Sequence, residues 1–177
     1  WTEILRFDDI SGLANVTRKV ETKYLDKPAD APEYRYIKLE GEKPGGVYNI
    51  NELEIYAVVA VHYHWTQNLI LGKSPVSQTC SHHQGFTLDR ITDGNPETAG
   101  IMNQGGLAPG EKGFIVYDLE AAYKIGGATL DYSYRTAVGY NTLYGASDPE
   151  GPWTEILRFD DISGLANVTR KVETKYL

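Results

Sequence analysis

Residues 114–134 read FIVYDLEAAYKIGGATLDYSY. Two runs within this stretch alternate with period two. Ile115, Tyr117 and Leu119 alternate with Phe114, Val116 and Asp118, and Ala128, Leu130, Tyr132 and Tyr134 alternate with Thr129, Asp131 and Ser133. Successive side chains of a strand point to opposite faces, so the pattern predicts strands with one face toward a core. The period continues outward. Ile37 and Leu39 oppose Lys38 and Glu40, Leu53 and Ile55 alternate with Glu52, Glu54 and Tyr56, and Trp153–Leu157 begins a strand after the turn Asp148–Pro152. Gly72, Pro75, Gly94, Pro96, Pro109-Gly110, Gly126-Gly127 and Pro44-Gly45-Gly46 punctuate these runs as turn residues. Many short strands with such turns predict an all-β antiparallel sandwich. At most one short helical turn fits, around Leu88–Ile91.

The chain has 177 residues, of which 41% are hydrophobic and 23% charged, as expected of one globular domain. Net charge is −7, without the concentrated Lys/Arg surface that a nucleic-acid partner requires. The longest apolar run, Ala57–Val61, is far short of a membrane helix, so no membrane insertion is expected. Cys80 is the only cysteine, which excludes an intramolecular disulfide and reads as a buried, inert thiol. No nucleophile elbow, phosphate-binding loop, zinc motif or dinucleotide fingerprint occurs. The carboxylate pairs Asp8-Asp9 and Asp160-Asp161 are adjacent on predicted strands and point to opposite faces. The chain therefore reads as a non-enzyme.

Residues 1–25, WTEILRFDDISGLANVTRKVETKYL, recur unchanged as residues 153–177, an offset of 152. The sequence is either a little more than one period of a tandem array or a deliberate rejoining of a gene. A period of this length suits separately folding beads rather than a solenoid. One module needs only one copy. The spare copy hangs free, pairs with a neighbour, or completes another module by strand exchange. Neighbouring copies of the chain are thus expected partners.

Read from Asn68 to Leu177 and then from Asp26 to Ala57, the sequence resembles a discoidin-like domain, the coagulation factor 5/8 type C family that includes the family 32 carbohydrate-binding modules. Asn68–Val76 is similar to the family's opening strand, and Ile91–Thr98 (ITDGNPET) to its early calcium loop. Phe114–Leu119 with Ile125–Ala128 resembles the central strand and the turn after it, and Ser147–Thr154 the Ser-x-Asp-Gly…Trp-Thr segment. Tyr34–Leu39 and Tyr48–Tyr56 resemble the last two strands, displaced to the front. The family often has Trp shortly after the loop threonine, where Ala99, Gly100 and Ile101 stand here. It usually has Gly after the Asp-Leu pair, where Glu120 stands here.

The resemblance implies a galactose-binding-like jelly-roll, circularly permuted or strand-exchanged. Residues 1–57 form the C-terminal part of a module, 58–67 a joining segment expected to pack, and 68–177 the N-terminal and central part. It implies a carbohydrate-binding module of a secreted or cell-surface protein. The alternative is a structural or adhesive repeat assembling head to tail into a fibre. A structural Ca2+ is implied at Asp93, Thr98 and Glu52, with the carbonyls of Arg90, Asn95 and Asn51. Calcium takes six to eight hard oxygens, and Gly94 permits the tight turn that gathers them. The same loop also reads as an ordinary Asx turn with Glu52 in solvent.

For a glycan or cell-surface polysaccharide the resemblance points to loops around His82–Phe86 and Tyr134–Asn141. His83, Arg135 and Asn141 are suited to sugar hydroxyls, and Tyr140 to stacking. Exposed loop histidines and a core tyrosine are the plainer readings there. Trp153 reads as core or edge packing, or as a ligand platform. Asn15 and Asn167 stand in N-glycosylation sequons.

Overall fold

The structure is a computed structural model that describes residues 20–23, 32–42, 48–57, 67–79, 81–82, 85–103, 112–133, 141–159 and 170–176. Among these, the chain is almost entirely strand: β1 (Val20–Lys23), β2 (Glu33–Glu42), β3 (Tyr48–Ile50), β4 (Glu52–Ala57), β5 (Ser77–Gln78), β6 (Ser81–His82), β7 (Gly100–Asn103), β8 (Lys112–Ser133), β9 (Asn141–Ala146), β10 (Thr154–Arg158) and β11 (Arg170–Tyr176). The only helical element described is a 3-10 turn at Leu88–Ile91, where a single helical turn was expected. One sheet runs β1-β11-β8-β2-β9-β10, with β4 and β5 also pairing on β8, and a smaller one runs β3-β7-β6. Every pair is antiparallel except β1 with β11.

β8 organises this topology. Its first half pairs with β2 and β5, and its second half with β4 and β11. The change of partners coincides with a disruption of the ladder. Between Tyr36↔Asp118 and Tyr34↔Tyr123, β2 spends one residue while β8 spends four. Glu120 lies in this excursion at φ 71, a left-handed conformation that glycine adopts without steric cost. The Asp118 carboxylate accepts the Glu120 N–H at 2.7 Å and a two-pronged pair of bonds from Arg35 at 2.9 Å each, tying the irregularity to β2.

One hydrophobic cluster joins both halves of β8. Ile37 and Leu39 of β2, Ile115 and Tyr117 of β8 and Leu143 of β9 pack with Leu53 and Ile55 of β4 and with Ala128 and Leu130 of β8. Apart from Leu143, these are the residues that period-two alternation assigns to an inner face. Strand β2, from the front of the sequence, lies between β8 and β9 from its later part. From the second copy of the repeat, Leu157 and Phe159 are buried in the same cluster.

Two expectations need correction. Asn68–Val76 does not form a continuous strand: Asn68 makes an isolated bridge with Tyr56, and turns follow at 69–72. The Asn68 side-chain carbonyl accepts the N–H groups of Ile55 and Ile70, and Gly72, at φ 70, donates to the Thr92 carbonyl at 2.6 Å. These bonds satisfy backbone groups that a ladder would otherwise take. The second half of β8 also lacks an exposed face, since Thr129 and Asp131 are buried along with Ala128 and Leu130. Asp131 pairs with Glu52, whose carboxylate meets the loop after the 3-10 turn, so that loop covers this end of the polar face.

Candidate metal centre

The loop that follows the 3-10 turn is fixed from below. Leu88 and Ile91 are buried in the core. Thr92 is fully buried, and its hydroxyl donates to the Lys73 carbonyl at 2.7 Å. The chain then turns sharply at Gly94, at φ 76, where an added Cβ would lie 2.9 Å from Leu71 Cδ1. Asp93 Oδ1 accepts the Asn95 N–H at 2.8 Å, which is the Asx turn read from the sequence.

The loop holds more oxygen than a turn needs. Thr98 Oγ1 lies 2.7 Å from Asp93 Oδ2 and 2.8 Å from the Asn95 carbonyl. The Asn95 carbonyl also accepts the Thr98 N–H at 3.0 Å, which leaves the Thr98 hydroxyl proton for Asp93, and three oxygens converge within one turn. From β4, Glu52 enters the same loop and its Oε2 accepts the Gly94 N–H at 3.2 Å. Glu52 is only 4% exposed, and its Oε1 is buried with no hydrogen-bond partner. Next to it, Asn51 donates its N–H to the Asp131 carbonyl at 2.7 Å and its Nδ2 to the Pro96 carbonyl at 3.1 Å. Asn51 Oδ1 is likewise buried without a partner.

Burial is the main cause that pushes the Glu52 carboxyl up to about 8, and the nearby Asp93, Glu54 and Asp131 push it the same way against the Gly94 N–H. A buried carboxylate with an unmet oxygen among other acids is costly, and either a proton or a cation relieves it. The orphaned Glu52 Oε1 and Asn51 Oδ1 therefore fit a hard cation beside Asp93, Thr98 and the Asn95 carbonyl. Among the described residues there is no cluster of three or more His, Cys, Asp and Glu suited to a metal. The donors gathered here are instead two carboxylates with hydroxyl, amide and carbonyl oxygens. Arg90 belongs to the 3-10 turn, and its guanidinium lies 5.7 Å from the Phe86 ring centre.

Of the expected metal residues, Asp93, Asn95 and Thr98 are bonded to one another within the loop, Asn51 and Glu52 reach it from β4 and the residue before it, and Arg90 stands in the 3-10 turn ahead of it. Asp131 joins them without having been anticipated. Its signal was its register opposite Glu52, which needs the pairing of β4 with β8.

Of the residues expected to meet a sugar, only Asn141 is among those described, and its burial does not suit the exposed contact expected of it. Asn141 opens β9, is fully buried, and accepts the Phe159 N–H on its backbone carbonyl at 2.8 Å. His83, Arg135 and Tyr140 lie outside the described residues, as do Cys80, the sequons at Asn15 and Asn167, Asp8-Asp9, Asp160-Asp161 and residues 58–66 of the joining segment. Trp153 is half-buried, which fits edge packing rather than core. Lys38 Nζ lies 5.0 Å from its ring, 4.6 Å from that of Tyr144 and 5.8 Å from that of Phe114, and bonds Glu40 at 3.2 Å. A hollow of about 90 Å3 beside them is lined by Lys38, Ser77, Phe114, Glu150 and Trp153.

No family model, curated protein or solved structure matches the chain, so the family resemblance rests on the motifs themselves.

Proposed function

We propose that the chain is a non-catalytic carbohydrate-binding module of discoidin-like type, a galactose-binding-like sandwich in permuted strand order whose loop at 92–98 is organised by calcium. The observation that supports this best is Glu52, buried in that loop with one carboxylate oxygen unmet. Asp93, Thr98, Glu52 and the carbonyls of Arg90, Asn95 and Asn51 would hold the ion. Bound calcium supplies fixed positive charge that joins β4 to the loop and leaves chemistry on a ligand to no residue. Two further observations support the family reading. The two halves of β8 share one core while pairing with different strands, as a strand passing between the layers of a sandwich does. Glu120 takes the left-handed conformation at the position where the family has glycine.

The ligand is a glycan or cell-surface polysaccharide outside the cell, met by His83 from one segment and by Arg135, Tyr140 and Asn141 from another. Single-module affinity lies near the millimolar end, about 4 kcal/mol of binding free energy, and gains by avidity across repeats. A glycan array printed with multivalent protein tests this. Arg135→Ala should lower retention at least fivefold with an unchanged melt, and a chelator should lower it as well. Retention of no glycan by the calcium-loaded protein would sink the proposal.

A second reading, a structural or adhesive repeat that assembles head to tail, is favoured by one specific observation. The two copies of the repeated segment lie side by side in the sheet, β1 against β11.

A further inference from the structure

β11 occupies the place beside the second half of β8, antiparallel to it from Arg170↔Ser133 to Tyr176↔Gly127. Its other edge is paired with β1, and that pairing is parallel, with Val20 level with Val172, Glu21 with Glu173, Thr22 with Thr174 and Lys23 with Lys175. Each pair differs by 152, the offset of the repeat. The segment therefore meets its own twin in register at every level.

We propose that the outer edge of β11 is a docking site for residues 20–23 of a second copy of this chain, taken up in the same parallel register in place of the chain's own β1. Backbone ladders do not distinguish which molecule supplies a strand of identical sequence. What favours the chain's own β1 is its tether, residues 24–32, through a high effective concentration. When another copy is present at comparable concentration, the exchange replaces one interface with an identical one. Each molecule then gives its first segment to one neighbour and receives the segment of another at β11, a head-to-tail contact that need not close.

The register also sets like charges at the same level, Glu21 with Glu173 and Lys23 with Lys175. Like charges opposite one another in a sheet weaken pairing, and salt screens them. Docking at an edge vacated by β1 is therefore strengthened by salt, the reverse of an interface held by ion pairs, whereas in exchange against the chain's own β1 the same repulsion stands on both sides and cancels. This deepens the second reading of function, and rests on it only for the supply of neighbouring copies.

The probe is a labelled synthetic peptide of residues 17–25, TRKVETKYL, titrated by fluorescence anisotropy into the full chain. Glu21→Pro with Thr22→Pro in the chain removes a ladder donor on either side of β1 and empties the edge. The peptide should bind this variant at least tenfold more tightly than the unmodified chain, and more tightly in 0.5 M than in 0.05 M salt, on the order of threefold. A peptide carrying Glu21→Lys should bind the unmodified chain more tightly than the parent peptide at low salt, which needs no altered protein. In a Cys80→Ser background, peptide Thr22→Cys should form a disulfide with Thr174→Cys and not with Thr129→Cys. Crosslinking at Thr129 would show the peptide replacing β11 on β8, and equal binding to both chains would show no contest for the edge. Either result overturns the proposal. Assembly in light scattering without capture at Thr174 would sink the edge while leaving the repeat reading intact, and absence of both would sink the two together.

Discussion

Burial of Glu52 with Asp93, Glu54 and Asp131 nearby raises its carboxyl from 4.5 to about 8. Where the folded state holds a proton more tightly than the unfolded chain, the stabilisation is complete below the unfolded pKa and is lost as pH rises through the folded one. In a chelator the protein should therefore lose stability between about pH 4.5 and pH 8, by at most about 5 kcal/mol. Calcium takes the ionised carboxylate, so the metal should restore the loss, and the gain in melting temperature should grow from pH 5 to pH 9. Glu52→Gln should flatten both dependences. Melts by circular dichroism at pH 5, 7 and 9, with EDTA or with calcium, measure all of this, and a calcium-free melt that stays level with pH would remove the metal assignment. Most of the site was legible because it is local: Asp93, Gly94, Asn95 and Thr98 lie within six residues. Glu52 was reachable only through the resemblance, since nothing between residues 52 and 93 signals their contact. Asp131 was not reachable, because its place depends on strand register.

At the scale of elements, alternation located β2, β4, β10 and both halves of β8, since a half-buried strand must alternate, and it did not find β9. It failed at 68–76, where the Asn68 side chain takes two backbone N–H groups and the chain turns instead of pairing. It also mistook the polar residues of the second half of β8 for a solvent face, because alternation reports which residues are polar and not what covers them. The disruption inside β8 yields a sharper statement. Glu120 holds a left-handed backbone, 79% of its side chain is exposed, and its one described ion pair is with Lys73 at 2.8 Å. An exposed pair contributes little, about 0.5 kcal/mol, whereas a non-glycine residue in this conformation costs about 1–2 kcal/mol. Glu120→Gly should therefore stabilise the protein by ~0.3 kcal/mol, after glycine's larger unfolded-state entropy is set against the relief. Urea denaturation gives the figure. A destabilised variant would mean that the Lys73 pair outweighs the strain.

The molecule as a whole has more repeated sequence than its core uses. The described core takes Leu157 and Phe159 from the second copy, and β11 adds the strand beside β8. A chain of residues 26–177 keeps all of these elements and, among the described residues, loses only β1, so its melting temperature should fall by no more than a few degrees. The chain of residues 1–152 is the informative one. It lacks β10 and β11, yet its first 25 residues have the sequence of both, and residues that fit a site once fit it again. What changes is connectivity. The tight link from β9 through Ser147–Trp153 into β10 is cut, and the equivalent of β11 must instead reach β2 through residues 25–32. Eight extended residues span about 26 Å, several times the spacing of neighbouring strands, so the reach is adequate. Cutting a short link and closing a different loop changes chain entropy by a small logarithmic amount, about 1–2 kcal/mol, while leaving the buried apolar surface intact. The 1–152 chain should accordingly fold to the same β-rich spectrum with a melting temperature modestly below that of 26–177. Because each truncated chain has a single copy, the outer edge of the strand beside β8 is left vacant, and both should bind a labelled 17–25 segment more tightly than the unmodified chain does. If 26–177 folds and 1–152 does not, the first copy is unable to take the place of the second, and the duplicated segment serves only the edge it covers.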